Sequence, residues 1–225
     1  MQGLFITGTD TGVGKTWVGS RITAELWRRG VRVRPRKPAE SGCPLLDGVL
    51  LPQDAAAYQA AVGGTEPLER ICRFRFAPAL SPERAAALAG QSLTLADLVA
   101  ACQEGVQTGD YLVVEGAGGF YSPIAADGLN ADLAMALDLP VLLVSVDRLG
   151  AIHQTLVTAE AIARRGLTLA GVVLDRVSEP LDPLLDNAED LRRWLGREVW
   201  VVGHGGDVKP LTRLTDKLMA GLVGP

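Results

Sequence analysis

Two histidines, at 153 and 204, and three widely spaced cysteines, Cys43, Cys72 and Cys102, leave this 225-residue chain short of the usual zinc ligands. It has no CxxC pair and no Cys/His pairing, so the cysteines read as reduced buried thiols, which suggests a reducing compartment. Surplus positive charge is missing too. The net charge is −4 and the pI is near 5.3, so no general affinity for nucleic acid or an anionic membrane follows. Nor is any apolar run long enough to span a bilayer: the most apolar later stretch, Leu133 to Val146, is broken by Asp138 and Pro140. A strand-like run starts almost at once, without the basic and long apolar regions of a signal peptide, and the expected location is cytoplasmic. Small molecules and further copies of the chain are the partners to expect, with no nucleic acid and no membrane.

What is present is a hydrophobic content of 48%, enough to close a sizeable core, and the chain reads as one domain over residues 1–225. It is organised around Phe5-Ile6-Thr7-Gly8-Thr9-Asp10-Thr11-Gly12-Val13-Gly14-Lys15-Thr16. An apolar strand feeds a Gly-rich turn that ends in Gly-Lys-Thr before helical spacing begins, which is what a phosphate-cradling loop requires. Its backbone N–H groups must reach an anion from a helix N-terminus, and Gly12 and Gly14 let the backbone approach. Lys15 then meets the β- and γ-phosphates, and the Thr16 hydroxyl meets the Mg²⁺ that bridges them. The loop is a variant of the usual pattern, with Thr9 where a glycine is standard and Gly8 displaced by one.

Helical spacing predicts a helix from about Trp17 to Arg29, stopped by Gly30. Residues 31–37 alternate, so that Arg32, Arg34 and Arg36 share one face, while Val31, Val33 and Lys37 share the other. A Gly- and Pro-rich loop from Pro38 to Pro52 precedes a short helix near Asp54 to Val62; Ile71 to Phe76 alternates again; helices are predicted from Ser81-Pro82 and over Leu95 to Gln107. Continuous apolar runs at 111–114, 141–146 and 169–174, separated by helical patterns, describe strands buried on both faces of a parallel sheet. A helix near Pro183 to Leu195, a strand at 199–202 and a last helix from about Lys209 to Leu222 complete the pattern. The expected fold is α/β, a doubly wound, mostly parallel sheet flanked by helices, with ligands outside the carboxyl ends of its strands.

Glu115 ends the run at 111–114 and opens Glu115-Gly116-Ala117-Gly118-Gly119. An acid there suits a residue that holds Mg²⁺ near a phosphate loop, or else one that caps or pairs locally. Asp54 reads as a helix N-cap, the commoner role for such a residue, or as a metal ligand, and Glu40 and Ser41 read as ordinary turn residues. The N–H groups of Gly150, Ala151, Ile152 and His153 open a helix and form a second anion site, with His153 itself a surface or capping residue or a catalyst.

Gly8-Thr-Asp-Thr-Gly-Val-Gly-Lys-Thr16, Lys37-Pro38 with Ser41-Gly42, Asp54-Ala55, Ser81-Pro82, Val114-Glu115-Gly-Ala-Gly-Gly119 and Leu149-Gly-Ala-Ile152 together resemble the dethiobiotin synthetases. These motifs run in order from Thr7 to about Val177, roughly three quarters of the chain. The resemblance implies a P-loop enzyme of biotin synthesis that converts 7,8-diaminononanoate, carbon dioxide and ATP to dethiobiotin, ADP and phosphate. It implies Mg²⁺ held by Thr16, Asp54 and Glu115, and Lys15 and Lys37 acting on the carbamate and the transferring phosphoryl group. Thr11 and Ser41 would position the carbamate, Gly118 would contact the diamine, and residues 150–153 would hold its carboxylate. Gly12, Val13, Gly14, Trp17, Gly116 and Ala117 would line the nucleotide, and Asp175, Arg176, Gly205, Gly206, Asp207 and Val208 would form the base pocket. It also implies a homodimer.

The chain departs from the family pattern at Glu83, where histidine is usual, and at His153 and Asp175, where asparagine is. The late Gly-x-Ile-Pro segment stands here as residues 203–207, Gly-His-Gly-Gly-Asp. These changes leave the phosphate and metal residues in place and fall on the base pocket, so ATP is the expected co-substrate with CTP or GTP as alternatives. A chromosome-partition ATPase would carry a lysine early in the loop, where Asp10 stands, and would lack the Lys37 to Ser41 element. An amidoligase or cobyrinate-type synthase would usually be longer and joined to a glutaminase.

Overall fold

The computed structural model describes residues 1–177, 184–203 and 206–220. In chain order it contains β1 (Gln2–Gly8), α1 (Lys15–Arg28), β2 (Val33–Arg36), β3 (Ala39–Ser41), β4 (Leu45–Leu46), β5 (Val49–Leu50), α2 (Gln53–Ala61), α3 (Leu68–Ile71) and β6 (Phe74–Phe76). There follow α4 (Pro82–Leu88), α5 (Leu95–Gln103), β7 (Tyr111–Gly119), β8 (Pro123–Ala125), β9 (Gly128–Leu129), α6 (Asn130–Leu137), β10 (Val141–Val146), α7 (Ala151–Arg164), β11 (Leu169–Arg176), α8 (Asn187–Leu195), β12 (Val199–Gly203) and α9 (Lys209–Ala220).

The main sheet has the order β12-β11-β10-β1-β7-β2, and every pairing in it is parallel. Parallel neighbours need crossovers, and the helices supply them, so both faces are covered. Strand residues alternate between two cores accordingly. Phe5, Leu112, Val114, Leu143 and Leu174 face one core, with Leu98, Leu133, Ile162 and Leu191 from α5 to α8. Leu4, Ile6, Val113, Leu142, Val144 and Val173 face the other, with Val18 and Ile22 of α1, Tyr58 of α2 and Leu214 of α9. Each such side chain, fully buried, contributes about 1.5–3 kcal/mol before the entropy of ordering is counted.

The central strands place the site. β7 lies beside β1 with Glu115 opposite Ile6, so the acid at position 115 stands next to the end of β1, where the loop to α1 begins. The doubly wound, mostly parallel expectation holds. Several boundaries moved: β2 ends at Arg36, α5 stops at Gln103, and Ile71 closes the short α3 instead of opening a strand. The helix expected from Pro183 begins, within the described residues, at Asn187, where the Asp186 side chain accepts from the Glu189 N–H.

The arginine face of residues 31–37 lies where alternation puts it, but is partly buried. Arg36 is fully buried, donating to Glu66 Oε1 at 2.7 Å and to the Glu104 carbonyl at 2.7 Å, while Arg34 reaches Glu66 Oε2 and Asp110. Alternation gave the side of the strand correctly, but not that Glu66, just before α3, and the end of α5 would meet these side chains.

Candidate active site

The loop from Gly8 to Lys15 turns tightly. Gly14 has φ +90°, and a Cβ there would come 2.0 Å from Asp175 Oδ2, so both backbone and contact require glycine. Val13 is buried beneath the loop and fixes it to the core. Lys15 folds back, its Nζ donating to the Asp10 carbonyl at 2.8 Å. Burial and the neighbouring Lys37 ammonium pull the Lys15 amine down to about 8, against the carboxylates of Glu115, Asp54 and Asp10.

Beside the loop, one buried cluster gathers residues from four elements. Lys37, just past β2, places Nζ 2.5 Å from Glu115 Oε1 and 3.0 Å from Asp54 Oδ2, and donates to the Gly116 carbonyl at 3.1 Å. Thr16 of α1 donates to Glu115 Oε1 at 2.9 Å, and Tyr58 of α2 donates to Glu115 Oε2 at 2.7 Å. Burial alone would lower the Lys37 amine, but Glu115 and Asp54 outweigh it and hold it well above the ordinary lysine value. Asp54 shows the converse: burial pushes its carboxyl up, and Lys37 with the Thr16 hydroxyl overcomes this and holds it below its usual value.

Two residues set this geometry: Glu40, which reads from the sequence as an ordinary turn residue, and Asn130, which the sequence does not single out. Glu40 reaches across the loop and accepts from the backbone N–H groups of Asp54 and Ala55, both at 3.0 Å, so a carboxylate 14 residues upstream caps α2 and fixes Asp54. Burial, then the Asp54 charge, raises the Glu40 carboxyl. Asn130 is buried under Glu115 to Gly119; it accepts from the Ala117 N–H and donates to the carbonyls of Ala117, Gly119 and Ser122. Tyr58, which the sequence reading also missed, did leave a signal: it lies four residues after Asp54 on the same helix face.

A cavity of about 880 Å³ opens over the cluster. Thr11, Gly12, Gly14, Lys15, Thr16, Trp17, Lys37, Ser41, Asp54, Glu115, Ala117 and Gly118 line it, as do Glu40, Ser122 and the Ala79 to Pro82 wall. Ser41 donates to the Leu80 carbonyl, tying β3 to that wall. The other expected residues lie elsewhere. Gly116 is buried behind the cavity, Asp175 is buried beneath Gly14, and Arg176 pairs with Asp147 at 2.9 Å. Asp207 accepts from the Lys209 N–H at the start of α9, next to Gly206 and the exposed Val208, none of them on the cavity wall. His204 and Gly205 lie outside the described residues. Residues 150–153 open α7 away from the cavity.

The oxygen set of Thr16, Asp54 and Glu115 suits a hard cation. Among the described residues no group of three or more His, Cys, Asp or Glu side chains could cage a metal alone. Two carboxylates and a hydroxyl fit Mg²⁺, which keeps waters and takes phosphate oxygens to complete its shell. The Lys37 ammonium between the two carboxylates marks the same place as favourable for positive charge.

The family whose model is described as "AAA domain" matches residues 2–214. The ATP-dependent dethiobiotin synthetase BioD of Anaeromyxobacter dehalogenans strain 2CP-C is 43% identical over 199 residues, 88% of this chain and 87% of that protein. The BioD protein of Vesicomyosocius okutanii is 37% identical over 219 residues, 97% of each. Among solved structures, the MinC:MinD cell division protein complex of Aquifex aeolicus matches with a TM-score of 0.57 at 14% identity, over 100% of this chain and 97% of that one. The cell division ATPase MinD of Pyrococcus furiosus matches with a TM-score of 0.51 at 13% identity, over 98% and 99%. At such identities the likeness is one of fold.

Proposed function

The chain belongs to the ATP-dependent dethiobiotin synthetase family, and we propose that it carries out that family's ring closure in biotin synthesis, with residues 1–225 acting as one unit. One amine of 7,8-diaminononanoate takes up carbon dioxide as a carbamate. A carbamate oxygen attacks the γ-phosphorus, ADP leaves, and the second amine attacks the carbonyl of the mixed anhydride to expel phosphate and close the ureido ring. Each step builds or moves negative charge, so fixed cations beside the cavity carry the catalysis.

The observation that supports this reading best is the Lys37 ammonium, buried between Asp54 and Glu115 next to the Thr16 hydroxyl. Fixed positive charge stabilises phosphoryl transfer, and this ammonium lies on the cavity wall. Mg²⁺ held by Thr16, Asp54 and Glu115 would neutralise charge on the β- and γ-phosphates. Lys15 leaves the Asp10 carbonyl to meet those phosphates, Lys37 stabilises the carbamate and the phosphoryl group, Thr11 and Ser41 orient the carbamate, and Gly118 contacts the diamine. Release of phosphate from ATP, followed with and without the diamine and bicarbonate, tests the assignment. Dependence on both is expected; ATP hydrolysis indifferent to the diamine would point to an ATP-driven switch and sink it.

The substrate carboxylate then falls to residues 150–153 of a second copy, because within one chain they open α7 away from the cavity. Exposed apolar side chains support a dimer through this region: Leu149 and Val157 at α7, with Met135 and Tyr121 around Arg165. Sedimentation at micromolar concentration checks it, and a monomer would refute it. No helix among the described residues is long and apolar enough to cross a membrane.

A further inference from the structure

Tyr58 is a buried polar side chain that the proposed chemistry does not use. It projects from α2 into the core between the sheet and α1, is fully buried, and its hydroxyl donates to Glu115 Oε2 at 2.7 Å. The two oxygens of Glu115 therefore have separate neighbours. Oε1 faces Thr16 Oγ1 at 2.9 Å and Lys37 Nζ at 2.5 Å, on the cavity side, while Oε2 is turned into the core and held there by the phenol.

A second observation shows that α1 is shaped for this contact. Gly19 lies inside α1, and a Cβ there would come 1.9 Å from Tyr58 Oη and 2.7 Å from Ile6 Cδ1. Its backbone is not in the left-handed region, so conformation does not demand glycine. Glycine is the poorest helix former after proline, and its place here is explained by the room the phenol needs.

We infer that Tyr58 is a positioning residue that reserves Glu115 Oε2, so that Glu115 offers a divalent cation one oxygen and the site favours Mg²⁺ over Ca²⁺. This rests on the reading of Glu115 as a metal ligand given above. Mg²⁺ demands a compact six-oxygen shell and takes carboxylates through single oxygens, whereas Ca²⁺ accepts both oxygens of one carboxylate in a larger shell. A carboxylate locked by a hydrogen bond from behind cannot turn to present both. Removing the phenol oxygen frees Oε2 and lets the larger ion compete.

The test measures affinity for a fluorescent ADP analogue in the full chain, without metal, with MgCl₂ and with CaCl₂, in the wild type and in Tyr58→Phe. Tyr58→Phe should bind the nucleotide without metal within about twofold of wild type, while the ratio of Mg²⁺ to Ca²⁺ enhancement falls about tenfold, as is usual when a partner of a metal ligand is removed. In a Glu115→Gln background the same change should have no further effect on that ratio, because the two residues act as one unit. A ratio within twofold of wild type overturns the proposal, and so does a loss of equal size with and without metal, which would make Tyr58 merely structural. If wild-type binding is indifferent to both ions, the metal role of Glu115 fails and takes the proposal with it. A responsive wild type with an unchanged variant overturns the Tyr58 assignment alone. Thermal unfolding of each variant confirms that a folded protein is being measured.

Discussion

Glu115 Oε1 accepts from two donors at once, the Lys37 ammonium at 2.5 Å and the Thr16 hydroxyl at 2.9 Å. One carboxylate oxygen thus joins the phosphate loop to the strand that delivers Lys37, so a change at either donor is felt by the other.

Lys37→Ala is expected to lower turnover at least a hundredfold while changing nucleotide affinity only a few-fold. Removing one electrostatic donor that acts on developing charge costs about 3 kcal/mol. Lys15→Ala, in contrast, should weaken binding and turnover together, because the role proposed for Lys15 is to meet phosphates already in the ground state. Steady-state kinetics beside direct nucleotide titration separate the two. A Lys37→Ala enzyme turning over near the wild-type rate would make that residue structural.

Glu66→Ala should destabilise the fold without touching the cavity. It removes the acceptor for Arg36 Nη1 at 2.7 Å and for Arg34 Nη1 at 2.8 Å, leaving a fully buried guanidinium without its charge partner. Breaking a buried pair from one side costs about 3–5 kcal/mol, which for a chain of this size lowers Tm by about 6–20 °C. Urea unfolding is the check; a loss below 1 kcal/mol would show that the Arg36 hydrogen bonds to carbonyls suffice.

The three cysteines should be silent toward a thiol reagent at pH 8 until the protein unfolds. Burial raises all three thiols; Cys72 and Cys102 are pushed up to about 12, so the thiolate fraction of those two at pH 8 is about one in ten thousand. Reactivity should rise with pH and jump in denaturant to three equivalents per chain. One thiol reacting rapidly in the native protein would mean that a cysteine is opened by local motion.

Base selection among nucleoside triphosphates should be weak. Asp175 stands where the resemblance implies an asparagine that both donates and accepts, and its side chain is packed beneath Gly14, off the cavity wall. Without a paired reader, discrimination should amount to about 1–2 kcal/mol, so ATP, CTP and GTP should differ by roughly tenfold to thirtyfold in kcat/KM. Competition kinetics that favour ATP more than a thousandfold would show that other residues read the base. Asp175→Asn should shift the ratio toward ATP if this position is the reader.

The fold and the loop were legible because both depend on local patterns. Uninterrupted β-branched and leucine runs such as Val141 to Val146, bounded by turn residues, read as strands covered on both faces, and Gly-Lys-Thr after a strand leaves few alternatives. What could not be read depends on contacts distant in sequence. Nothing near Glu40 announces that it will cap α2, and nothing near Arg36 announces Glu66, because those partners meet only after the loop has folded back. Asp54 was ambiguous for a related reason: its side chain faces Lys37 because Glu40, not Asp54 itself, satisfies the first N–H groups of α2.

The Glu40 clamp also separates what the loop does from how long it is. Both carboxylate oxygens close the segment at Asp54 and Ala55, and the Leu51 N–H to Pro44 carbonyl bond closes it again further out. Beyond those two closures, the β4 to β5 hairpin with Asp47-Gly48 at its tip carries exposed side chains and no cavity residue. Lengthening a loop whose ends are already joined costs little, since closure entropy grows only with the logarithm of its length. The tip is therefore a natural place to graft a peptide, to introduce new chain ends, or for evolution to have inserted and deleted residues, with the spacing of Lys37, Asp54 and Glu115 left undisturbed.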